Sequence, residues 1–208
     1  PINFSQVGIN IRGRKSQRLR INYRTSEEIK KLAISVIEGE SFDDFDGEEE
    51  SKSGYISIFH GKEPIIQSFK SKDNETQAIV IHIQELIEEG ASFYDIAICS
   101  RTNKSSKSIK KVLHNNDFKY NESDGDIILG HQTGIQLLTM HSIKGLEFKH
   151  LIISDLGTGS FPLKGNFFEE MTITEKKSHL KREKAMLYVA ISRARETVFI
   201  SGVGKIEI

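Results

Sequence analysis

Three short runs of this sequence hold side chains suited to an anionic ligand. Asn22-Tyr23-Arg24-Thr25 sets an aromatic ring beside a guanidinium where an apolar run gives way to a helix pattern. Such a ring can stack on a base, and a guanidinium can fork onto a phosphate. A tyrosine packed over a sheet edge, with Arg24 paired to Glu27 or Glu28, accounts for the same residues equally well. The run Thr139 to Phe148 places Thr139, His141, Ser142 and Lys144 close together, then Gly145, where the backbone can approach a ligand. A polar loop with a helix cap at Ser142 is the plainer reading of that run. In Ala190 to Arg195, Arg193 and Arg195 fall on what periodicity reads as the last turn of a helix, where the helix dipole favours cations with or without a ligand.

Other chemistries find less support. His141 and His150 have no carboxylate or thiol beside them at metal-ligand spacing, so no metal site is expected. The single cysteine, Cys99, excludes a disulfide framework and points to a reducing compartment, with a cytoplasmic location expected. Its place in the apolar run Asp95 to Cys99 marks it as a small buried residue and not a nucleophile.

The elements that must position these runs follow from periodicity. Thr25 and Glu28 have capping-box spacing, and Ile29, Leu32, Ala33, Val36 and Ile37 form one stripe of a helix ending near Gly39. Tyr55 to Phe59 alternates as a strand. Asn74 to Glu89 reads as a helix turned inward through Ile79, Ile83, Leu86 and Ile87, with Gly90 stopping it. Ile96 to Ser100 is a buried strand, followed by a helix capped at Ser105 or Ser106 with Ile109, Val112 and Leu113 inside. Ile135 to Thr139 and Leu151 to Ser154 are further strands, and a helix over Arg182 to Glu196 runs into the strand Thr197 to Ser201. Strands alternating with helices predict an α/β fold, a largely parallel sheet with helices on both faces. Ligands in such sheets gather at the carboxyl ends of the strands, where the three polar runs are expected to lie.

Bulk properties set the frame. With 208 residues, 37% hydrophobic and 28% charged, the chain matches one globular domain. Its formal net charge is zero, so any nucleic-acid surface must be a local patch. Arg12 to Arg24 is basic, whereas Glu38 to Glu50 holds eight acids and no base, the pattern of a solvated flexible loop over about 40–53. No apolar run is long enough to span a bilayer, so no membrane partner is expected. The chain opens on Pro1, as an excised piece would.

The order of three patterns resolves the open readings. Arg18-Leu19-Arg20-Ile21-Asn22-Tyr23-Arg24-Thr25 resembles motif IV of UvrD/Rep-type superfamily 1 DNA helicases. Residues 135–148, IQLLTMHSIKGLEF, resemble motif V, and residues 182–195, REKAMLYVAISRAR, resemble motif VI. Glu75 to Tyr120, with its DIAICSRTN stretch, resembles the segment between motifs IV and V, and Gly8 to Arg14 resembles the end of the preceding interdomain linker, expected over 1–17.

The resemblance implies a second RecA-like motor domain over 18–208, a three-layer sandwich. Tyr23 would stack on adenine, Arg24 would reach the γ-phosphate, Glu147 would hold the ribose beside Gly145, and Arg193 would be the arginine finger. Thr139, His141 and Lys144, with Arg101 and Asn103, would face single-stranded DNA. It also implies ATP with Mg2+ and 3′-to-5′ movement. The sequence departs from the family in two ways. Only Asn121 to Gly134 stands where relatives carry a large inserted subdomain, and there is no GxxxxGK[ST] phosphate loop or acidic magnesium motif. Those parts are expected from a first RecA-like domain of the same protein. The competing reading is a non-catalytic interaction module that keeps the fold.

Overall fold

The computed structural model describes residues 21–22, 24–39, 56–57, 59–122 and 133–208. The linker tail, the acidic loop, Tyr23 and most of the Asn121 to Gly134 connection lie outside them. In chain order the elements are β1 (Ile21–Asn22), α1 (Glu27–Val36), β2 (Ile56–Ser57), β3 (Ile65–Phe69), α2 (Lys72–Glu88), a 3-10 turn (Phe93–Asp95), β4 (Ile96–Ser100), α3 (Lys107–Asn115), β5 (Tyr120–Glu122), β6 (Ile135–Thr139), β7 (Phe148–Ser154), α4 (Ile173–Ile191) and β8 (Ala194–Val203).

Six strands form one sheet in the order β3-β8-β7-β4-β6-β5, and every pairing in it is parallel. Strand side chains alternate between faces, and here the two faces are both apolar. Ala97, Cys99, Leu151, Ile153, Val198 and Ile200 pack with Ile29 and Ala33 of α1 and Leu187 and Ile191 of α4. Their neighbours Ile96, Ile98, Ile152 and Phe199 pack on the opposite face with Ile79 and Ile83 of α2 and Ile109 and Leu113 of α3. The result is the expected three-layer α/β sandwich. Burial pushes the Cys99 thiol up to about 12, against a smaller pull from Arg101, which keeps it unreactive as the sequence suggested.

Local chemistry moves several boundaries. The N-cap of α1 is Ser26, whose hydroxyl accepts from Ile29 N at 3.4 Å, and not Thr25. Glu28 instead accepts from Gly61 N at 2.8 Å and meets His60 Nδ1 at 3.0 Å. Helix α4 begins at Ile173, before the expected Arg182, because Thr172 and Glu175 form a reciprocal capping box there. It stops at Ile191, so Arg193 stands in the turn before β8 and Arg195 on β8 itself. Strands β3 and β5, which periodicity did not indicate, form the two edges of the sheet.

Because the sheet is all parallel, its two ends are distinct. Residues after Ser100, Thr139 and Ser154 lie at the carboxyl edge, while Glu147 and Arg193 precede β7 and β8 at the amino edge. This corrects the expectation that all three polar runs lie at carboxyl ends. The segment before β7 and helix α4 before β8 carry their last residues back across the domain.

Candidate nucleotide and nucleic-acid sites

At the amino edge, backbone and side chains of the three runs meet pairwise. Arg24 Nε lies 2.5 Å from Glu147 Oε1. Phe148 N donates to the carbonyl of Arg193 at 3.0 Å, and Ser26 N donates to the carbonyl of Arg195 at 3.3 Å. The second run thus touches the other two, and Ser26, the residue after the first run, joins it to the third. Packing beneath explains why. Helices α1 and α4 share one core with Ile143 of the second run, which fixes their ends at one place.

Arg193 is half-buried, and its Nε donates to Val189 O at 3.2 Å. That bond holds the base of the guanidinium fork against the end of α4. Among the described residues no carboxylate pairs with Arg193, so the fork is not spent on an internal ion pair. Glu147 is immediately followed by an irregularity in the β7–β8 register between Phe148 and His150, the kind of bulge that re-aims a side chain at a sheet rim. Gly145 has φ +90°, with nothing within 4 Å of where a Cβ would stand, so conformation and not space demands glycine there. Two guanidinium groups and one carboxylate at a single edge fit a phosphate chain joined to a hydroxyl-bearing sugar.

A cleft of about 550 Å³ adjoins Arg24 and is lined by Phe59, His60, Lys62, Glu89 and Arg195 among others. Its cations are mostly matched. Lys62 pairs with Glu89 at 2.6 Å, His60 with Glu28 at 3.0 Å, and Lys149 with Asp95 at 3.1 Å. It is therefore not a ready anion trap. Among the described residues no group of three or more metal-ligating side chains is present, and no helix is long and apolar enough to cross a membrane.

The second run spans the domain from one edge to the other. Thr139 is level with Ser100 and Ser154 at the carboxyl edge, whereas Phe148 pairs with Ala194 at the amino edge. Between them Met140 and Ile143 are buried in the core, and Met140 N donates to Ser100 O at 3.0 Å. His141 and Lys144 are exposed on this crossing. The Thr139 hydroxyl is engaged by Ser142, with Oγ1 3.1 Å from Ser142 Oγ and accepting from Ser142 N at 3.2 Å. Ser142 thus ties a polar turn locally, but it caps no helix, since residues 140–145 form turns.

Asn103 is exposed, with its carbonyl accepting from Ser106 Oγ. Arg101 differs from its expected placement. It is turned inward and forks onto Glu183 of α4, with Nε to Oε2 at 2.8 Å and Nη2 to Oε1 at 2.6 Å. A guanidinium held bidentately in a buried pair is not available to a phosphate, so Arg101 leaves the group of strand-facing candidates. Burial pushes the Glu183 carboxyl up, but Arg101 and the Leu163 N–H outweigh it and hold the carboxyl below the ordinary range.

Two acidic residues that organise the carboxyl edge have no role assigned from the sequence, although Glu183 lies within the stretch that resembles motif VI. Glu183 accepts from both Arg101 and Leu163 N. Glu75, fully buried, accepts from Asp155 N at 2.8 Å and Ser201 Oγ at 2.9 Å and pairs with Lys72 at 2.8 Å. A glutamate in the first turn of an otherwise apolar helix face was the only available hint of Glu75.

Comparison with known proteins gives the family and the fold of the chain. The family described as UvrD-like helicase C-terminal domain matches residues 17–129 and 122–205. A "Probable DNA helicase II homolog" of Mycoplasma genitalium is 42% identical over 69 residues, covering 33% of this chain and 9% of that protein. DNA helicase II of Escherichia coli is 30% identical over 108 residues, covering 43% of this chain and 14% of that protein. A "Probable DNA helicase" of Mycoplasma pneumoniae is 27% identical over 141 residues, covering 67% and 23%. The chain therefore spans less than a quarter of the length of these relatives. The crystal structure of the C-terminal domain of a possible DNA helicase from Lactobacillus plantarum shares the fold, with a TM-score of 0.63 and 14% identity over 89% of this chain and 90% of that one. From the meeting of the three runs at one edge and a family match over most of its length, the chain belongs to the UvrD-like helicase C-terminal domain family.

Proposed function

We propose that this chain is the second motor domain of an ATP-dependent DNA helicase or translocase, moving 3′ to 5′. One observation carries the reading: three runs distant in sequence converge on one sheet edge, through Arg24 with Glu147, Phe148 with Arg193, and Ser26 with Arg195. The groups gathered there suit a nucleoside triphosphate. Arg24 and Arg193 would face the γ-phosphate, Glu147 would take the ribose hydroxyl beside Gly145, and Tyr23 would cover the base. ATP with Mg2+ supplies a phosphoryl group whose hydrolysis can drive motion.

The residues of this chain would contribute charge and orientation. Arg193 is held at Nε by Val189 O and would place its remaining N–H donors against charge that develops on the phosphoryl oxygens, worth roughly 10³ to 10⁵ in rate for an arginine finger. The phosphate loop and magnesium ligands would come from a first RecA-like domain in the same protein. The carboxyl edge would face single-stranded DNA through Thr139, His141, Lys144 and Asn103, with phosphate contacts that ignore sequence. A cytoplasmic location and the absence of an inserted subdomain between β5 and β6 belong to the same reading.

The test compares ATP hydrolysis by the 208-residue chain alone with that of the longer protein. The chain alone should be inactive, and the longer protein should turn over ATP faster with single-stranded DNA. Robust turnover by the isolated chain would overturn the half-site reading. A longer protein without DNA-stimulated hydrolysis would favour an interaction module.

A further inference from the structure

The segment between β7 and α4 combines firm anchoring with an exposed aromatic ring. Phe161 and Phe168 are buried, while Phe167 between them is 70% exposed. Leu163 is held at both ends of its peptide: its N–H donates to Glu183 Oε2 at 3.0 Å, and its carbonyl lies 2.7 Å from His179 Nε2. Glu183 is itself fixed by Arg101 just past β4. Phe168 packs edge-on against His179 at 5.4 Å, and its turn is closed by Phe168 N to Gly165 O at 2.9 Å. Phe167 is thus presented from a braced turn, at the edge where Thr139 and Asn103 also lie.

Charges of both signs stand beside it. Lys164 and Lys176 hold their ammonium groups 5.3 and 5.5 Å from the Phe168 ring. Of the two glutamates in the turn, Glu169 pairs with Lys176 at 3.1 Å, and Glu170 is exposed to solvent. Among the described residues Lys164 has no carboxylate within ion-pair distance. An exposed ring on a braced turn, with an ammonium beside it that no carboxylate holds in an ion pair, matches what a flexible polyanion bearing flat bases requires: a stacking face and a phosphate contact.

We propose that Phe167 is a base-stacking platform for single-stranded nucleic acid, with Lys164 meeting an adjacent phosphate and the Arg101–Glu183–Leu163 chain holding the platform in place. Arg101 would then serve the strand as a positioning residue and not as a contact. The proposal rests on the carboxyl edge facing the strand, as argued above. Stacking on one base contributes enough that its loss should weaken binding roughly 5- to 150-fold.

The experiment measures anisotropy of a labelled oligothymidylate, and of an abasic strand of equal length, against the 208-residue chain at low salt. Phe167→Ala and Phe167→Leu remove no core packing, because the ring is exposed. Both should lose at least about fivefold on the thymidylate and under twofold on the abasic strand. Phe167→Trp places a single indole in a chain that has no tryptophan, and its fluorescence should be quenched at saturating thymidylate. If Lys144→Ala weakens binding while Phe167→Ala stays within twofold of wild type, the stacking platform is overturned and the strand-facing edge stands. An equal loss on both strands, or an unquenched indole, also overturns it. No binding by the wild-type chain on either strand would overturn the strand-facing edge itself, and the platform with it.

Discussion

Arg24 and Glu147 form an ion pair at the amino edge, Nε to Oε1 at 2.5 Å, although the resemblance assigns the arginine to a phosphate and the glutamate to a sugar. Neither side chain can serve a ligand fully while it is spent on the other. The pair is largely exposed, so it adds no more than about 1 kcal/mol to stability. Glu147→Gln should therefore shift the melting temperature by less than about 4 °C while raising KM for ATP several-fold in the longer protein. A melting loss above about 10 °C would make the pair a structural clamp and remove the need for a ligand role.

For Arg193 the anchored Nε gives a sharper expectation than a simple charge count. Arg193→Ala should reduce DNA-stimulated turnover by roughly 10³-fold or more, with nucleotide affinity changed only a few-fold. Arg193→Lys should rescue little, because lysine has neither the Nε bond to Val189 O nor a planar fork. Steady-state hydrolysis beside binding of a fluorescent nucleotide separates the two effects, and a loss under threefold would dismiss the finger.

The Arg101–Glu183 pair should show itself in stability. Glu183→Ala leaves a buried guanidinium and the Leu163 N–H without their acceptor, at a cost of about 3–5 kcal/mol. Urea unfolding monitored by circular dichroism measures it, and a cost below about 1 kcal/mol would mean that water reaches the pair.

Acid should destabilise the domain in a defined window. Gly61 N–H and His60 hold the Glu28 carboxyl at about 2, below the ordinary value of 4.5. Glu27 is lowered by the Ser57 N–H in the same way. Lowered folded-state values mean that the stabilisation is present above pH 4.5 and is lost as pH falls toward 2. Melting temperature should hold steady from neutral pH to about 5 and then fall. Glu28→Gln should flatten part of that slope, and an unchanged slope would show that Glu28 titrates alike in both states.

At the carboxyl edge the expected signature is ionic. Lys144→Ala should weaken oligonucleotide binding and lower the slope of log affinity against log salt by about 0.7, the increment for one phosphate contact on a single strand. Anisotropy titrations over a range of salt concentrations provide the slope, and an unchanged value would place Lys144 off the strand.

Much of the fold could be read from periodicity because the interior strands are apolar on both faces: Ile96 to Ser100 and Ile135 to Leu138 are buried residue after residue. The edges escaped for the opposite reason. In β3 both Ile65 and Ile66 are about half exposed and neighbour polar residues, so no alternation marks it. The start of α4 is polar along its exposed first turns and was visible only in the Thr172 and Glu175 cap. Motif residues could be found one by one, but two things required three dimensions. One is which end of the sheet each occupies, since Met140 to Glu147 crosses from one end to the other. The other is the partner of Arg101, because nothing in sequence links it to a glutamate on a distant helix.

That crossing has a consequence for the length of the chain itself. Thr139 is locked level with Ser154, and Phe148 stands at the other end of β7, a separation of about 20 Å at the usual rise per strand residue. Met140 to Glu147 must cover that span while burying Met140 and Ile143 at fixed depths. The segment works as a gauge block whose size is set by the sheet beside it. Losing one residue would have to drag Thr139 inward or pull Glu147 away from Arg24, so natural variation here should run through substitution and leave the spacing untouched.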